Sequence, residues 1–242
     1  MNRICCVSLV LIFGALGLPI VAEASVTFSV PQSSDAGLSP FVHAGAQAPN
    51  SSGQVQNFGP SSEDPFDHSA TASDSNSFGS EQAFASLDIS FNENGIISTG
   101  ASSASSTDDG AQGLENFYAY IIVSDEPVSF TLTASTSAMG EGQADIYLEV
   151  PGGGTVRYDS GLSLGDPASG TATGVLFPGT YAFSQSDATD NSAYSGTVTS
   201  GSGNSSTSVD LQFTPVPEPK TSVALAIGCC FIVFLFGRRK LA

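Results

Sequence analysis

Large apolar side chains recur at every second position along four stretches of this 242-residue chain. Leu87, Ile89 and Phe91 alternate with Asp88 and Ser90. Val128, Phe130, Leu132 and Ala134 alternate with Ser129, Thr131 and Thr133. Ile146, Leu148 and Val150 alternate with Tyr147 and Glu149, and Val209, Leu211 and Phe213 with Asp210 and Gln212. Successive side chains of an extended chain point to opposite faces, so each stretch predicts a strand with one face for a core and one for water. Turn residues fall between them. Asn94-Gly95 precedes Ile96-Ile97, Pro151-Gly152-Gly153-Gly154 joins Val150 to Val156, and Pro178-Gly179 suits the centre of a type II turn ahead of Tyr181 and Phe183. No window of the middle has a helical period. Short one-sided strands, about ten residues apart, predict an all-β chain: a β-sandwich, jelly-roll-like, over 66–214. Many inward positions are Ala, Gly or Ser, which predicts a thin sandwich.

Two stretches depart from this pattern. Residues 25–65 are rich in Ser, Gly, Ala, Pro, Gln and Asn and poor in large apolar residues. They bury too little surface to offset ordering entropy of about 1–2 kcal/mol per residue, so an irregular, low-complexity segment is expected, opening with a short strand over 26–30. Phe117 to Val123 is apolar on both faces. A central strand covered by a loop would explain it. So would a sugar-stacking platform of Tyr118 and Tyr120, which lie two residues apart and share a face. The chain has no Trp, the side chain with the largest stacking surface.

The two ends are apolar in different ways. Arg3, the run Ile4 to Ile20 and the small residues Ala22 and Ala24 flanking Glu23 predict a signal peptide over 1–24, cleaved by signal peptidase after Ala24. Near the other end, 221–237 would form a helix about 25 Å long, within the range that spans a bilayer. Its nine Val, Leu, Ile and Phe side chains favour insertion by roughly 3–5 kcal/mol. Arg238, Arg239 and Lys240 then stop transfer and hold that end in the cytoplasm, with 25–219 outside the inner membrane. Just before the span, Pro217-Glu218-Pro219 cannot sit in a helix interior and makes a stiff, accessible stretch.

The order of these parts over 215–242, a Pro-Glu-Pro motif, an apolar span and a basic tail, resembles the PEP-CTERM sorting signal of Gram-negative bacteria. The resemblance implies that Pro217, Glu218 and Pro219 are recognised by an exosortase, a membrane-embedded cysteine transpeptidase-like enzyme. The tail would then be removed and the protein delivered to the cell surface, often in bacteria that make exopolysaccharide. On this reading the chain is a substrate of that enzyme.

Charge and composition narrow what the exported part does. All 23 acidic residues except Glu23 and Glu218 lie between Ser25 and Pro215, where Arg157 is the one basic residue. Such a surface repels nucleic acid and anionic lipid, so no nucleic-acid partner is expected. All four cysteines lie in the apolar ends, at Cys5, Cys6, Cys229 and Cys230, so the middle has neither a disulfide framework nor a thiolate metal site. Two histidines, no Gly-x-Ser-x-Gly elbow, no His-x-x-x-His and no phosphate-cradling glycine loop give no catalytic constellation, and no enzyme is expected. No resident cofactor is implied, but hard oxygen donors in loops suit Ca²⁺. Asp108 and Asp109 in a Ser/Gly-rich loop, and Asp187 and Asp190 in a predicted turn, are the candidate ligands. The expectation is an exported cell-surface or extracellular-matrix protein with a structural or adhesive role. The alternative is a glycan-binding module associated with exopolysaccharide and assisted by calcium.

Overall fold

The computed structural model describes residues 24–31, 40–48, 51–59, 65–107, 110–161, 165–190 and 201–216. These residues form two antiparallel sheets facing each other, an arrangement consistent with a β-sandwich. In chain order the strands are β1 Ser25–Ser29, β2 Phe41–Gln47, β3 Gln54–Phe58, β4 Phe66–Ser75, β5 Ser80–Asn92, β6 Gly95–Ser106 and β7 Gly110–Ser124. There follow β8 Val128–Met139, β9 Gly142–Val150, β10 Gly154–Ser160, β11 Ser169–Leu176, β12 Gly179–Asp190 and β13 Gly201–Pro215. One sheet runs β10-β9-β12-β7-β2-β3, and the other β11-β8-β13-β6-β5-β4. β1 also pairs with β7, at Tyr120 to Ser124, while β2 covers Gly110 to Asn116. The two short strands therefore share one long neighbour.

The strands with large alternating residues fall where the pattern predicts. Leu87, Ile89, Phe130, Leu132, Ile146, Leu148, Leu211 and Phe213 all point into one buried core. The hairpin between β9 and β10 turns at Gly152 and Gly153, whose φ of 84° and 75° lie in the left-handed region that a Cβ disfavours. The sandwich begins well before residue 66. The segment 25–65, expected to be irregular, contributes β1, β2 and β3. β2 buries Val42, Ala44 and Ala46 while its backbone pairs with β7 on one side and β3 on the other. Ladder bonds and a close-packed small-residue face, not large apolar side chains, order it. At the β3 edge the Gln56 side chain accepts a bond from Thr71 N–H of β4 at 2.8 Å, tying the two sheets together.

Side-chain size along the inner faces falls from one pole to the other. At the wide pole Val123, Ile121 and Phe117 of β7 meet Tyr181 and Phe183 of β12, Ile96 of β6, and Leu211 and Phe213 of β13. In the middle the layer turns polar, with Ser98, Gln185, Thr207, Glu115 and Asp187. At the narrow pole Ala72, Ala83, Ala104, Ala111, Gly113 and Gly203 let main chain approach main chain. The thin sandwich expected from composition is thus thin at one end.

The first and last described segments meet at the wide pole. Ser25 pairs with Ser124, with their hydroxyls hydrogen-bonded, and Val216 N–H donates to Pro127 O at 3.3 Å. The turn Ser124 to Pro127, where Asp125 has a φ of 64°, holds both. Ala22, Pro217, Glu218, Pro219, the span 221–237, Arg238, Arg239 and Lys240 lie outside the described residues. Among the described residues no helix is long and apolar enough to cross a membrane.

Candidate functional site

Tyr118 and Tyr120 do share the outer face of β7, where none of the described residues covers Tyr120, 37% exposed, or Ile122, 36% exposed. The rings are not coplanar. Their centroids lie 5.2 Å apart at 86°, so one ring presents its edge to the other's face. β12 places Ser184 beside Tyr118 and Ala182 beside Tyr120, leaving a shallow trough. Across it β9 presents Tyr147 opposite Ser184, and β10 sets Arg157 opposite Tyr147. Four adjacent strands thus carry Tyr118, Ser184, Tyr147 and Arg157 in a row about 14 Å long. Arg157 holds Asp145 through two bonds, Nε to Oδ1 at 2.7 Å and a terminal nitrogen to Oδ2 at 3.1 Å. Glu149 accepts from Ala182 N–H at 3.3 Å. Burial first, then the bond to Tyr120 and the charges of Tyr120, Glu149 and Tyr147, push the Tyr118 hydroxyl up to about 12. It stays protonated at any physiological pH.

A second surface lies on the outer face of the other sheet at the narrow pole. There an open groove of about 750 Å³ crosses β4, β5, β6 and β13, reaching the β8–β9 turn. Thr71, Ser73, Gln82, Phe84, Ser103 and Asn204 are among its walls. No Asp, Glu, Lys or Arg lines it, in a chain of net charge −17. The groove left no mark in the sequence, because its residues are the Ser, Thr and Gln of a generally polar chain. Tyr147 did leave one. It occupies an outward position of a predicted strand, but which strand lies beside Tyr118 is a matter of topology.

Of the four candidate calcium ligands, the structure describes the side chain of Asp187. Asp108 and Asp109 lie outside the described residues. Asp187 and Asp190 belong to strand β12, not to a turn. Asp187 is fully buried, because it continues the inward phase of Tyr181, Phe183 and Gln185. Its partner in register is Glu115 of β7, equally buried. Thr207 Oγ1 lies 2.7 Å from Asp187 Oδ2 and 3.5 Å from Glu115 Oε1. Gln185 Nε2 donates to Thr207 Oγ1 at 2.7 Å, and Ser98 Oγ donates to Gln185 Oε1. Ser102, Thr189 and Ser205 extend the network, with hydroxyl oxygens 2.6 and 2.8 Å apart. Among the described residues no three His, Cys, Asp or Glu side chains converge as a metal-binding group.

Burial, reinforced by the charge of Asp187, pushes the Glu115 carboxyl well above its ordinary range, and burial also raises Asp187. The inner faces packed on the pair bring Ser98, Gly100 and Ser102 from β6, Ala85 and Leu87 from β5, Thr207 and Ser205 from β13, and Ala144 and Ile146 from β9. None of these titrates. A raised carboxyl stabilises the fold fully below its unfolded pKa of about 4.5, and that stability is lost as pH rises through the folded value. In metal-free buffer the melting temperature is therefore expected to fall from about pH 4 toward neutrality, and the slope to flatten in E115Q/D187N. Asp74 works in the opposite sense, its carboxyl held low by Ser51 and the Ala48 N–H, so its contribution is lost only as pH falls below the ordinary carboxylate range. Thermal unfolding across this window, in both forms, checks the sign.

No protein-family model matches the chain, and no curated protein matches its sequence.

Proposed function

We propose that this chain is an exported, surface-delivered adhesive protein whose sandwich binds neutral glycan, in keeping with an exopolysaccharide partner. The observation that carries the reading is the groove at the narrow pole: concave, free of charge, and walled by hydroxyls, amides and the Phe84 ring. Sugars present hydroxyls to be paired and apolar ring faces to be stacked, and this wall offers partners for both. Its four strands span about 14 Å, room for about three sugar rings. An ionic ligand would instead call for a charged wall.

The termini agree with export. Signal peptidase would act after Ala24, immediately before β1, and an exosortase would act near Pro217-Glu218-Pro219, just after Val216. Both ends leave from the wide pole, so a chain tethered in the inner membrane would turn its groove outward. On this reading the protein binds its ligand and does not turn it over. A second reading puts the glycan on the row of Tyr118, Ser184, Tyr147 and Arg157, where two tyrosines flank a shallow trough.

Titration with the host's exopolysaccharide tests both surfaces. F84A is expected to weaken binding about tenfold, the loss of one stacked ring, and added salt to leave it unchanged. A loss in Y118A/Y147A instead moves the site to the tyrosine row, and no binding by the unaltered protein at millimolar sugar ends the glycan reading. The sorting step has its own measurement. Intact mass of the mature protein, made with and without the exosortase, is expected to lack 221–242 only when the enzyme is present. A mass that keeps those residues in both cases refutes it.

A further inference from the structure

Among the described residues Glu115 and Asp187 have no Lys, Arg or His beside them. Arg157 is the one Lys or Arg among the described residues, and it serves Asp145 on the outer face. Two carboxylates are therefore enclosed between the sheets without a counter-charge, an arrangement that costs several kcal/mol per ion in a low-dielectric interior. Hydrogen bonds make up only part of the deficit: the two carboxyls bond each other, Gln185 reaches Glu115 and Ser205 reaches Asp187. Thr207 has a single hydroxyl proton and two carboxylate oxygens within reach, so it serves one of them. Glu115 Oε2 and Asp187 Oδ1 have no hydrogen-bond partner at all. Space for the pair comes from Gly100 of β6, where a Cβ would overlap Glu115 Oε1 and lie 2.7 Å from Asp187 Oδ2.

We propose that Glu115 and Asp187 form an internal binding site for a hard divalent cation, Ca²⁺, completed by the neutral oxygens of Thr207 and Gln185. The donor set holds oxygen alone, with no imidazole or thiolate, which excludes the ligands that zinc and copper prefer. Two carboxylates match one divalent charge, whereas a monovalent ion would leave one negative charge buried. Mg²⁺ keeps several waters in strict octahedral geometry, and Ca²⁺ accepts an irregular, protein-only shell. Gln185 reaches the ion with its carbonyl when its amide is turned over, since the two ends of that group are assigned only by the bonds they make. Enclosure between two sheets means that the ion enters as the sheets close and leaves when they part. It is therefore a structural ion, independent of the glycan surfaces outside.

The test uses the purified full-length chain, unfolded and refolded in either millimolar CaCl₂ or EGTA. Non-denaturing mass spectrometry is expected to find one calcium per chain after CaCl₂ and none after EGTA. The melting temperature near neutral pH is expected to be about 5–10 °C higher in CaCl₂, the shift for a ligand present at about a hundred times its Kd. E115Q/D187N is expected to bind no calcium and to melt at the same temperature in both. An unaltered chain that carries no ion, with equal melting temperatures in the two buffers, overturns the proposal and leaves the pair neutralised by protons. That comparison needs no variant, so a double variant that fails to fold does not blunt it.

Discussion

Replacing Gly113 by valine is expected to leave no folded protein. Gly113 lies on the inner face of β7, where main chain of the opposite sheet comes close. A Cβ there would overlap the Phe84 carbonyl oxygen and come within 3.0 Å of the Ser103 carbonyl oxygen. Both obstacles are main chain, in strands paired along their length, so neither can step aside as the end of a long side chain would. The backbone at Gly113 is extended, so the penalty is steric. Facing sheets ordinarily stand about 10 Å apart, and here they are held nearer by the absence of side chains. Even alanine is expected to cost about 3 kcal/mol, at the upper end of ordinary overpacking, and valine more. Soluble yield and far-ultraviolet circular dichroism check the valine variant, and denaturant unfolding the alanine one. An alanine variant as stable as the parent would show that the sheets are not in contact there.

Phe117→Ala is expected to lower stability by about 3–5 kcal/mol, through lost burial and the cavity left behind. Phe117 is fully buried, with ring centroids 5.9 Å from both Phe183 and Phe91 and edge-to-face angles of 62° and 69°. Phe91 continues to Phe28 at 5.3 Å, and Phe28 to Phe213 at 6.0 Å. This chain of rings carries the wide pole across both sheets, where the narrow pole packs small and polar side chains. The site cannot collapse around a missing ring, because its neighbours are fixed in strands. Denaturant unfolding of F117A, F183A and the double variant measures the loss and a coupling of about 1 kcal/mol between the two rings. A loss under 1 kcal/mol for F117A would mean that the wide pole is loosely packed.

The strands visible in the sequence were those that bury large side chains. β5, β8, β9 and the later half of β13 alternate in size and polarity, and their apolar phase is the phase that faces the core. β2, the last half of β6 and the first half of β13 were hidden. Ala101 to Ser106 and Gly201 to Ser208 are nearly all Ser, Ala, Gly and Thr, a composition that reads as loop. They are strands because long partners pair them on both sides and because small residues are what a close sheet-to-sheet approach admits. The same logic governs the acidic pair. Counting by twos from Phe117 and Phe183 brings Glu115 and Asp187 to the inner face, so their burial was legible. Asp187 looked like a turn residue because Asp, Thr and Asn cluster around it.

By itself the sequence determined an all-β chain and the inward phase of its best strands, because alternation is a local property of extended backbone. Only the tertiary structure decided which residues meet. The facing of Glu115 and Asp187, the row from Tyr118 to Arg157, the uncharged groove and the nearness of Ser25 and Val216 at one turn each join segments distant in sequence, and sheet order, to which no local periodicity refers, sets all four.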